Sequence, residues 1–235
     1  MRENSFPCGN GADLLLRLGT RLPPGLRLLS SAALDRRSAL FPEELPCVER
    51  AVEKRINEFS TGRWLARRGL ADLGFPRVPI PPGPAREPLW PTGVAASLSH
   101  SASVCAFVCG LARDYVSVGL DLELSPVPRP ELADLILAPS EPAEYREPEI
   151  LRLVFSAKEA VYKCLYPIHH MTYDFHDVEI RLRHADNTFT AELAPDGSRS
   201  KLAVHGVGMF ESSADGAVTL YYLPAAASAV RLSGT

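Results

Sequence analysis

The sequence predicts an α+β protein made of two similar halves, each a small antiparallel sheet packed with helices. Two observations support this fold class. A stretch of helical periodicity is followed by short strand patterns twice along the chain, and turn signals separate the strands. Runs of helix and strand that alternate in this way are typical of α+β proteins. We find no sequence repeat between the halves, so the duplication is inferred from the order of elements.

The first half is expected to span residues 1–124. Apolar residues recur at helical spacing from Val48 to Leu73, with an expected break near Thr61-Gly62. The proline-rich stretch 76–91 cannot form a regular helix or a central strand. Three strands are expected after it: Val94–Ser99, Val104–Cys109 and Val116–Leu124.

The second half is expected to span residues 125–235, after a proline-rich break at 125–130. A helix is predicted around Pro130–Leu137 and another from about Ser156 to Leu165. Ser156 and Glu159 have the spacing of a capping box, which would make Ser156 the N-cap of the second helix. Four antiparallel strands should follow: Asp177–Arg183, Thr188–Leu193, Val204–Glu211 and Ala217–Leu223.

Composition excludes several classes of protein. The chain has 235 residues and a net charge of −3, which argues against a generally nucleic-acid-binding surface. No apolar run approaches the roughly 20 residues of a membrane-spanning helix, and none near the N-terminus has signal-peptide length. The five cysteines are odd in number and lack C-x-x-C spacing, which fits a reducing compartment. We therefore expect a cytoplasmic protein without a membrane partner.

Asp121 and Glu123 are the first candidate site residues. Side chains two apart on a strand point to the same face, so both carboxylates should project together. Carboxylate oxygens suit Mg²⁺, which is usually held by one or two carboxylates together with substrate phosphates and water. The alternative is that the two acids line the solvent side of an antiparallel strand.

Lys158, Glu159 and Lys163 form the second candidate group, on the predicted helix. Glu159 and Lys163 are four residues apart and could form an ordinary intrahelical ion pair. However, the chain contains four lysines, and two of them lie within this turn and a half. Taken alone, these residues leave a structural and a functional interpretation open.

The order of these groups resembles a known family signature. Val118-Gly119-Leu120-Asp121-Leu122-Glu123, followed about thirty residues later by Phe155-Ser156-Ala157-Lys158-Glu159-Ala160-Val161-Tyr162-Lys163, resembles the paired motifs of 4′-phosphopantetheinyl transferases. Those motifs are G-(I/V/L)-D-x-E and (F/W)-(S/T/C)-x-K-E-(A/S)-x-x-K. Trp90 to His100 resembles the W-P-x-G-x-x-x-S-(L/I/M)-(S/T)-H block of the monomeric subfamily that includes the siderophore-synthetase-activating enzymes. Lys54 to Arg63 is similar to its K-R-x-x-E-F-x-x-x-R helix.

The resemblance implies an enzyme of the holo-[acyl-carrier-protein] synthase type. Such enzymes move the 4′-phosphopantetheine arm of coenzyme A to a serine of an apo acyl or peptidyl carrier protein and release 3′,5′-ADP. They act in polyketide, nonribosomal peptide, siderophore or fatty-acid biosynthesis. The resemblance further implies a monomer that uses Mg²⁺, with Mn²⁺ as an alternative, and coenzyme A as substrate.

Five of the site residues carried over by position from the family would act on the metal and on the coenzyme A phosphates. Asp121, Glu123 and Glu159 would bind Mg²⁺, and Lys158 and Lys163 would contact the coenzyme A phosphates. The attacking serine must lose its proton, so a carboxylate base is required. Glu159 is the candidate base, directly or through a metal-bound water, and Lys163 the candidate acid or charge stabiliser for the departing ADP.

The remaining carried-over residues would bind the nucleotide end of coenzyme A. Ser99 and His100 would contact its 3′-phosphate, and Arg55 and Arg63 would clamp it from the first half. The subfamily often has a cation in the loop before the W-P turn that reaches the coenzyme phosphates. In this chain only Arg86 stands near that position, so either Arg86 takes that role or coenzyme affinity rests on the other cations.

Two other functions remain open from the sequence. One is a metal-dependent transferase that uses the Asp121/Glu123 pair on a nucleotide sugar or a nucleoside triphosphate. Binding of coenzyme A, but not of ATP or a UDP-sugar, would argue against it. The other is a non-catalytic module that binds carrier proteins, which failure to modify any carrier protein would support.

Overall fold

The computed structural model describes residues 10–124, 130–193 and 206–225. Its helices are α1 (Asn10–Thr20), α2 (Glu53–Asp72), α3 (Ala133–Ile136) and α4 (Pro148–His169). Its strands are β1 (Arg27–Ala32), β2 (Val94–Ser101), β3 (Val104–Leu111), β4 (Tyr115–Glu123), β5 (Val178–Arg183), β6 (Thr188–Leu193), β7 (Val207–Ser213) and β8 (Gly216–Pro224).

The strands form two antiparallel sheets. The first has the order β1-β3-β2, and the second has the order β4-β8-β7-β6-β5. Helix α2 packs on the first sheet and α4 on the second. The predicted α+β class with two helix-packed sheets is confirmed. No helix in the described ranges is both long and apolar enough to cross a membrane.

Strand β4 belongs to the second sheet, although the sequence analysis assigned residues 1–124 to the first half. It pairs with β8 from Tyr115↔Pro224 to Glu123↔Ala217. The division between the sheets therefore falls between β3 and β4, before the predicted boundary. The apolar pattern of a strand does not identify the sheet that it joins, because packing in either sheet would bury the same apolar side chains. The expected break at 125–129 lies outside the described residues.

The N-terminal elements α1 and β1 were not predicted. Helix α1 turns Leu14, Leu15 and Leu18 into the core beneath β7 and β8. Residues from the start of the chain therefore complete the core of the second sheet.

Two helix boundaries differ from the prediction. Helix α2 runs unbroken through Thr61-Gly62. Helix α4 begins at Pro148, a favourable first position, so Ser156 lies inside the helix and the capping-box interpretation is wrong. The Ser156 hydroxyl is instead buried 2.9 Å from the hydroxyl of Thr219 on β8.

A buried carboxylate organises the first half. Glu44 accepts hydrogen bonds from Arg67 Nη1 on α2 (2.8 Å) and from the backbone N–H groups of Ile80 (2.8 Å) and Phe41 (2.9 Å). Arg67 also donates through Nη2 to the carbonyl of Ala39 (2.7 Å). The loop before α2, the helix and the chain after it are thus joined at one fully buried side chain.

The second half repeats this arrangement around Glu141. This carboxylate accepts hydrogen bonds from Lys158 Nζ on α4 (2.7 Å) and from the backbone N–H groups of Ile180 (2.7 Å) and Ala138 (2.7 Å). Lys158 also donates to the carbonyl of Ile136 (2.8 Å). In both halves the carboxylate accepts a hydrogen bond from the backbone N–H three residues before it. The cation that pairs with the carboxylate donates to the carbonyl five residues before that carboxylate. The shared pattern supports a duplicated fold that sequence identity does not reveal.

The two sheets meet where β2 lies against the free edge of β4. Three serine hydroxyls of β2 accept hydrogen bonds from alternate backbone N–H groups of β4 and the residue that follows it: Leu120 to Ser97 (3.0 Å), Leu122 to Ser99 (3.2 Å) and Leu124 to Ser101 (2.9 Å). We call this arrangement the serine ladder. It satisfies backbone donors that an edge strand would otherwise leave unpaired.

Gly119 allows α4 to lie directly on β4. A Cβ at this position would stand 1.9 Å from the carbonyl oxygen of Ala160 and 2.6 Å from the backbone nitrogen of Cys164. Both atoms are helix backbone and cannot rotate away. The glycine before the acidic pair is therefore required for close helix packing, which positions the functional residues of α4 beside those of β4.

Replacing Gly119 with alanine should force α4 away from β4. We expect Gly119→Ala to lower the free energy of unfolding by about 3 kcal/mol or more, because overpacking against backbone cannot be relieved by a rotamer change. Urea unfolding followed by circular dichroism measures this. Gly19→Ala is the control, since the nearest atom to its Cβ is 4.0 Å away. Equal stability of the two variants would contradict the close-packing argument.

Candidate active site

Asp121 and Lys163 form the centre of the site. Asp121 on β4 is 3% exposed, and its Oδ1 accepts a hydrogen bond from Lys163 Nζ on α4 at 2.6 Å. Ser99 on β2 donates to the same oxygen at 3.1 Å while accepting from the Leu122 N–H. Strand β2 of the first sheet, strand β4 of the second sheet and helix α4 therefore converge on one carboxylate.

Asp121 Oδ2, the second oxygen of this carboxylate, is buried and has no hydrogen-bond partner in the described part of the chain. Burying an acceptor without a partner costs about 1–3 kcal/mol, so such an atom indicates a missing ligand.

Glu123 and Glu159 lie close enough to Asp121 for its negative charge to raise the pKa of each. Burial raises the pKa of Glu123 to about 7, with further contributions from the charges of Asp121 and Glu159. Burial and the Asp121 charge also raise the pKa of Glu159, and Lys163 opposes both effects. The three predicted metal ligands thus lie within range of one another's charge, and we call them the acidic cluster.

The acidic cluster is not a closed metal cage. Among residues 10–124, 130–193 and 206–225, no three His, Cys, Asp or Glu side chains stand close enough to enclose a metal ion. The donor chemistry nevertheless fits a hard cation, because carboxylate oxygens are available and one of them, Asp121 Oδ2, has no partner within the described part of the chain. The residues fit a cation that takes further ligands from substrate oxygens and water, as Mg²⁺ usually does.

A cavity of about 540 Å³ adjoins this centre, between α2, β2 and the proline-rich loop. The four residues predicted to hold the nucleotide end of coenzyme A all line it, and so does Arg86, the candidate for its phosphates; the four are Arg55, Arg63, Ser99 and His100. The structure thus brings together side chains that are spread between positions 55 and 100 of the sequence. The cavity is cationic and could bind an anion.

Arg63 is the most deeply buried arginine of the cavity wall. It is 5% exposed, its Nε donates to the Ile80 carbonyl at 2.8 Å, and its guanidinium lies 4.4 Å from the Phe59 ring centroid. Burial lowers its pKa to about 10. Its Nη groups form no hydrogen bond or ion pair with the residues described, so a buried positive charge is left to attract an anion.

Glu58 is a functional candidate that the sequence analysis missed. It lines the same cavity, and its Oε1 lies 3.5 Å from His100 Nδ1. The glutamate of the K-R-x-x-E-F block was the available signal, but only its cationic positions were carried over.

A second groove of about 500 Å³ continues from the first cavity, and Arg86, Pro88 and Leu98 line both. Its wall is largely aromatic and apolar, with Lys163 as the cation facing it from α4. The aromatic residues of the wall are Trp90, Tyr162, Tyr166 and His170. A ligand with an anionic end and a long, weakly polar arm matches the two spaces.

Lys158 does not have the predicted role. It is 2% exposed, and its ammonium donates to Glu141 Oε2 and to the carbonyls of Ile136 and Phe175 at 2.7–2.8 Å. These bonds use all three N–H groups, so none remains for a phosphate. Lys158 is instead the counterpart of Arg67 in the duplicated structural pattern.

Comparison with known proteins identifies the family. A model of the 4′-phosphopantetheinyl transferase N-terminal domain matches residues 41–110, and one of the 4′-phosphopantetheinyl transferase superfamily matches residues 117–218. The matches meet between β3 and β4, where the sheet pairing also changes.

Characterised relatives agree with this match. The chain is 40% identical over 172 residues to 4′-phosphopantetheinyl transferase Svp of Streptomyces mobaraensis, covering 69% of each chain. It is 37% identical over 186 residues to 4′-phosphopantetheinyl transferase PptT of Mycobacterium tuberculosis, covering 75% of this chain and 76% of that protein. Enterobactin synthase component D of Salmonella typhi is 37% identical over 118 residues, or 48% of this chain and 49% of that protein.

The fold places an acidic centre beside a cationic cavity, and the matched relatives are transferases. The chain belongs to the 4′-phosphopantetheinyl transferase superfamily and is a 4′-phosphopantetheinyl transferase.

The structural role of Lys158 can be separated from a role in substrate binding. Lys158→Met should lower the free energy of unfolding by about 3–5 kcal/mol, because it leaves the Glu141 charge buried without its cation. The control Lys54→Met removes a lysine that is 74% exposed and should change stability by less than about 0.5 kcal/mol. Under conditions where Lys158→Met is folded, calorimetry should give a Kd for coenzyme A close to that of the parent. Unchanged stability with weakened coenzyme A binding would contradict this assignment.

Proposed function

We propose that this chain transfers the 4′-phosphopantetheine arm of coenzyme A to a serine of an apo acyl or peptidyl carrier protein, with Mg²⁺ bound and 3′,5′-ADP released. The observation that carries the proposal is the buried Asp121 carboxylate, whose Oδ1 binds Lys163 and whose Oδ2 has no hydrogen-bond partner among the residues that the structure describes. It lies beside a cationic cavity on one side and an aromatic groove on the other.

In the proposed complex, coenzyme A extends across both spaces. The nucleotide end with its 3′-phosphate occupies the cavity of Arg55, Arg63 and His100, where the uncompensated Arg63 charge favours an anion. The pantetheine arm lies along the groove of Trp90 and Tyr166. The pyrophosphate then falls at the junction of the two spaces, close to Lys163 and Arg86.

Mg²⁺ would be held by Asp121, Glu123 and Glu159, and when bound it neutralises charge on the pyrophosphate oxygens. The rest of the chemistry falls to the side chains. The serine oxygen forms a bond to the phosphorus that bears the pantetheine arm, and the bond from that phosphorus to the ADP oxygen breaks. Positioning and charge neutralisation, rather than covalent catalysis, dominate such transfers.

Glu159 accepts the proton of the serine hydroxyl in this proposal. Burial raises its pKa above that of an ordinary glutamate, which makes the carboxylate a stronger base. Lys163, whose Nζ is fixed by Asp121 and lies 3.3 Å from Ser99 Oγ, donates hydrogen bonds to the departing ADP oxygen.

The cellular context is part of the same proposal. The chain is proposed to act as a monomer, as the resemblance to the monomeric subfamily implies. The buried free thiols of Cys105, Cys109 and Cys164 suit the reducing cytoplasm. Carrier proteins of polyketide, peptide-synthetase, siderophore or fatty-acid assembly are the proposed partners.

The test is mass spectrometry of several apo carrier proteins incubated with the chain, coenzyme A and Mg²⁺. We expect a mass gain of one phosphopantetheine with release of 3′,5′-ADP, and no gain after chelation of the metal. Glu159→Gln should slow transfer by about 100-fold or more, because it removes the proton acceptor.

Glu149→Gln is the matched control, since Glu149 is an exposed residue in the first turn of the same helix. A near-normal rate for Glu159→Gln would exclude the proposed base. Failure of the parent chain to modify any carrier protein would instead favour a non-catalytic binding module. Binding of a UDP-sugar or ATP in place of coenzyme A would favour the other alternative.

A further inference from the structure

Glu58 places a negative charge in a cavity that is otherwise built for an anion. It lies on α2, is 7% exposed and lines the cavity together with Arg55, Arg63 and Arg86. A carboxylate in such a position repels a phosphate, so an anion can bind there only if a neighbouring group offsets the negative charge of Glu58.

Among the described residues, the Glu58 carboxylate makes its shortest ion-pair contact with His100. Glu58 Oε1 stands 3.5 Å from His100 Nδ1 on β2, and 3.8 Å from Nζ of the exposed Lys54. A carboxylate facing Nδ1 favours the forms of the imidazole in which that nitrogen carries hydrogen, which leaves Nε2 for a ligand.

Apart from Glu58, the charges that act most strongly on His100 are positive. Arg55 and Lys54 face it from α2, and Lys163 faces it from α4. These cations add to burial, which is the largest cause of its lowered pKa, while Glu58 raises that pKa. His100 is therefore neutral near pH 7 in the free protein, and a neutral Nε2 without hydrogen cannot donate to a phosphate.

We infer that Glu58 is a positioning residue that orients His100 and stabilises its imidazolium form when a phosphate monoester enters the cavity. The inference rests on the proposed function, in which that phosphate is the 3′-phosphate of coenzyme A. One proton from solvent adds to His100 Nε2 as the ligand binds, and Nε2–H then donates to the phosphate. Nucleotide binding is thereby coupled to proton uptake, and a ligand without the terminal phosphate does not trigger it.

The experiment is isothermal titration calorimetry of 3′,5′-ADP at pH 7.5 in two buffers that differ in ionisation enthalpy. The difference in observed heat gives the number of protons taken up. We expect uptake approaching one proton for the parent chain and none with 5′-AMP. In Glu58→Gln the uptake should disappear and the Kd should rise about tenfold, the equivalent of one pKa unit.

The sign of the pH dependence follows from the same coupling. Because the bound form carries the extra proton, affinity of the parent chain for 3′,5′-ADP should rise as pH falls from 8.5 to 7, and Glu58→Gln should show a flatter profile. Glu53→Gln is the control: it makes the same chemical change on an exposed residue about one turn earlier in α2.

Measurement of the His100 pKa by NMR in the parent chain needs no variant. The pKa should rise on addition of 3′,5′-ADP. The inference is overturned if that pKa does not move, or if Glu58→Gln takes up the same proton as the parent. If the parent chain does not bind 3′,5′-ADP at all, the proposed nucleotide site fails as well, which distinguishes the two failures.

Discussion

The serine ladder between β2 and β4 is the interaction on which the rest of the structure depends. An edge strand with free N–H groups would be costly to bury, and the hydroxyls of Ser97, Ser99 and Ser101 satisfy three of them. Ser99 has a second function, because its hydroxyl also donates to Asp121. The contact that joins the two sheets is therefore also a contact of the active site, and the cleft between the sheets cannot open without disturbing the acidic cluster.

Each half contains a buried ion pair, Glu44 with Arg67 or Glu141 with Lys158, and we call each pair a hub. The two hubs explain why the walls of the cleft are fixed in position. Glu44 with Arg67, and Glu141 with Lys158, each tie a long helix to the loop before it and the chain after it. A buried ion pair adds little net stability, but removing one partner is costly. In our account, each hub fixes the position of its helix, so that α2 presents Arg63 and α4 presents Lys163 toward the same cleft.

Sequence reasoning succeeded where local chemistry determined the answer. The alternation of Asp121 and Glu123 required a common face, and the resemblance to the family selected the residues that line the basic cavity. It failed where the answer depended on distant partners. Burial of Lys158 depends on Glu141, 17 residues away, and Glu58 gains meaning only from the fold that brings His100 beside it. Membership of β4 in the second sheet likewise depends on β8, near the far end of the chain.

The central claim is that one cleft binds the divalent cation, the nucleotide and the pantetheine arm together. A crystal structure of the chain with coenzyme A and Mn²⁺ tests it most directly, because Mn²⁺ is located by its anomalous signal. The account predicts the metal on Asp121 Oδ2, the 3′-phosphate beside Arg63 and His100, and the arm along Trp90 and Tyr166. A metal bound away from Asp121, or a nucleotide outside the cavity of Arg63, would contradict it.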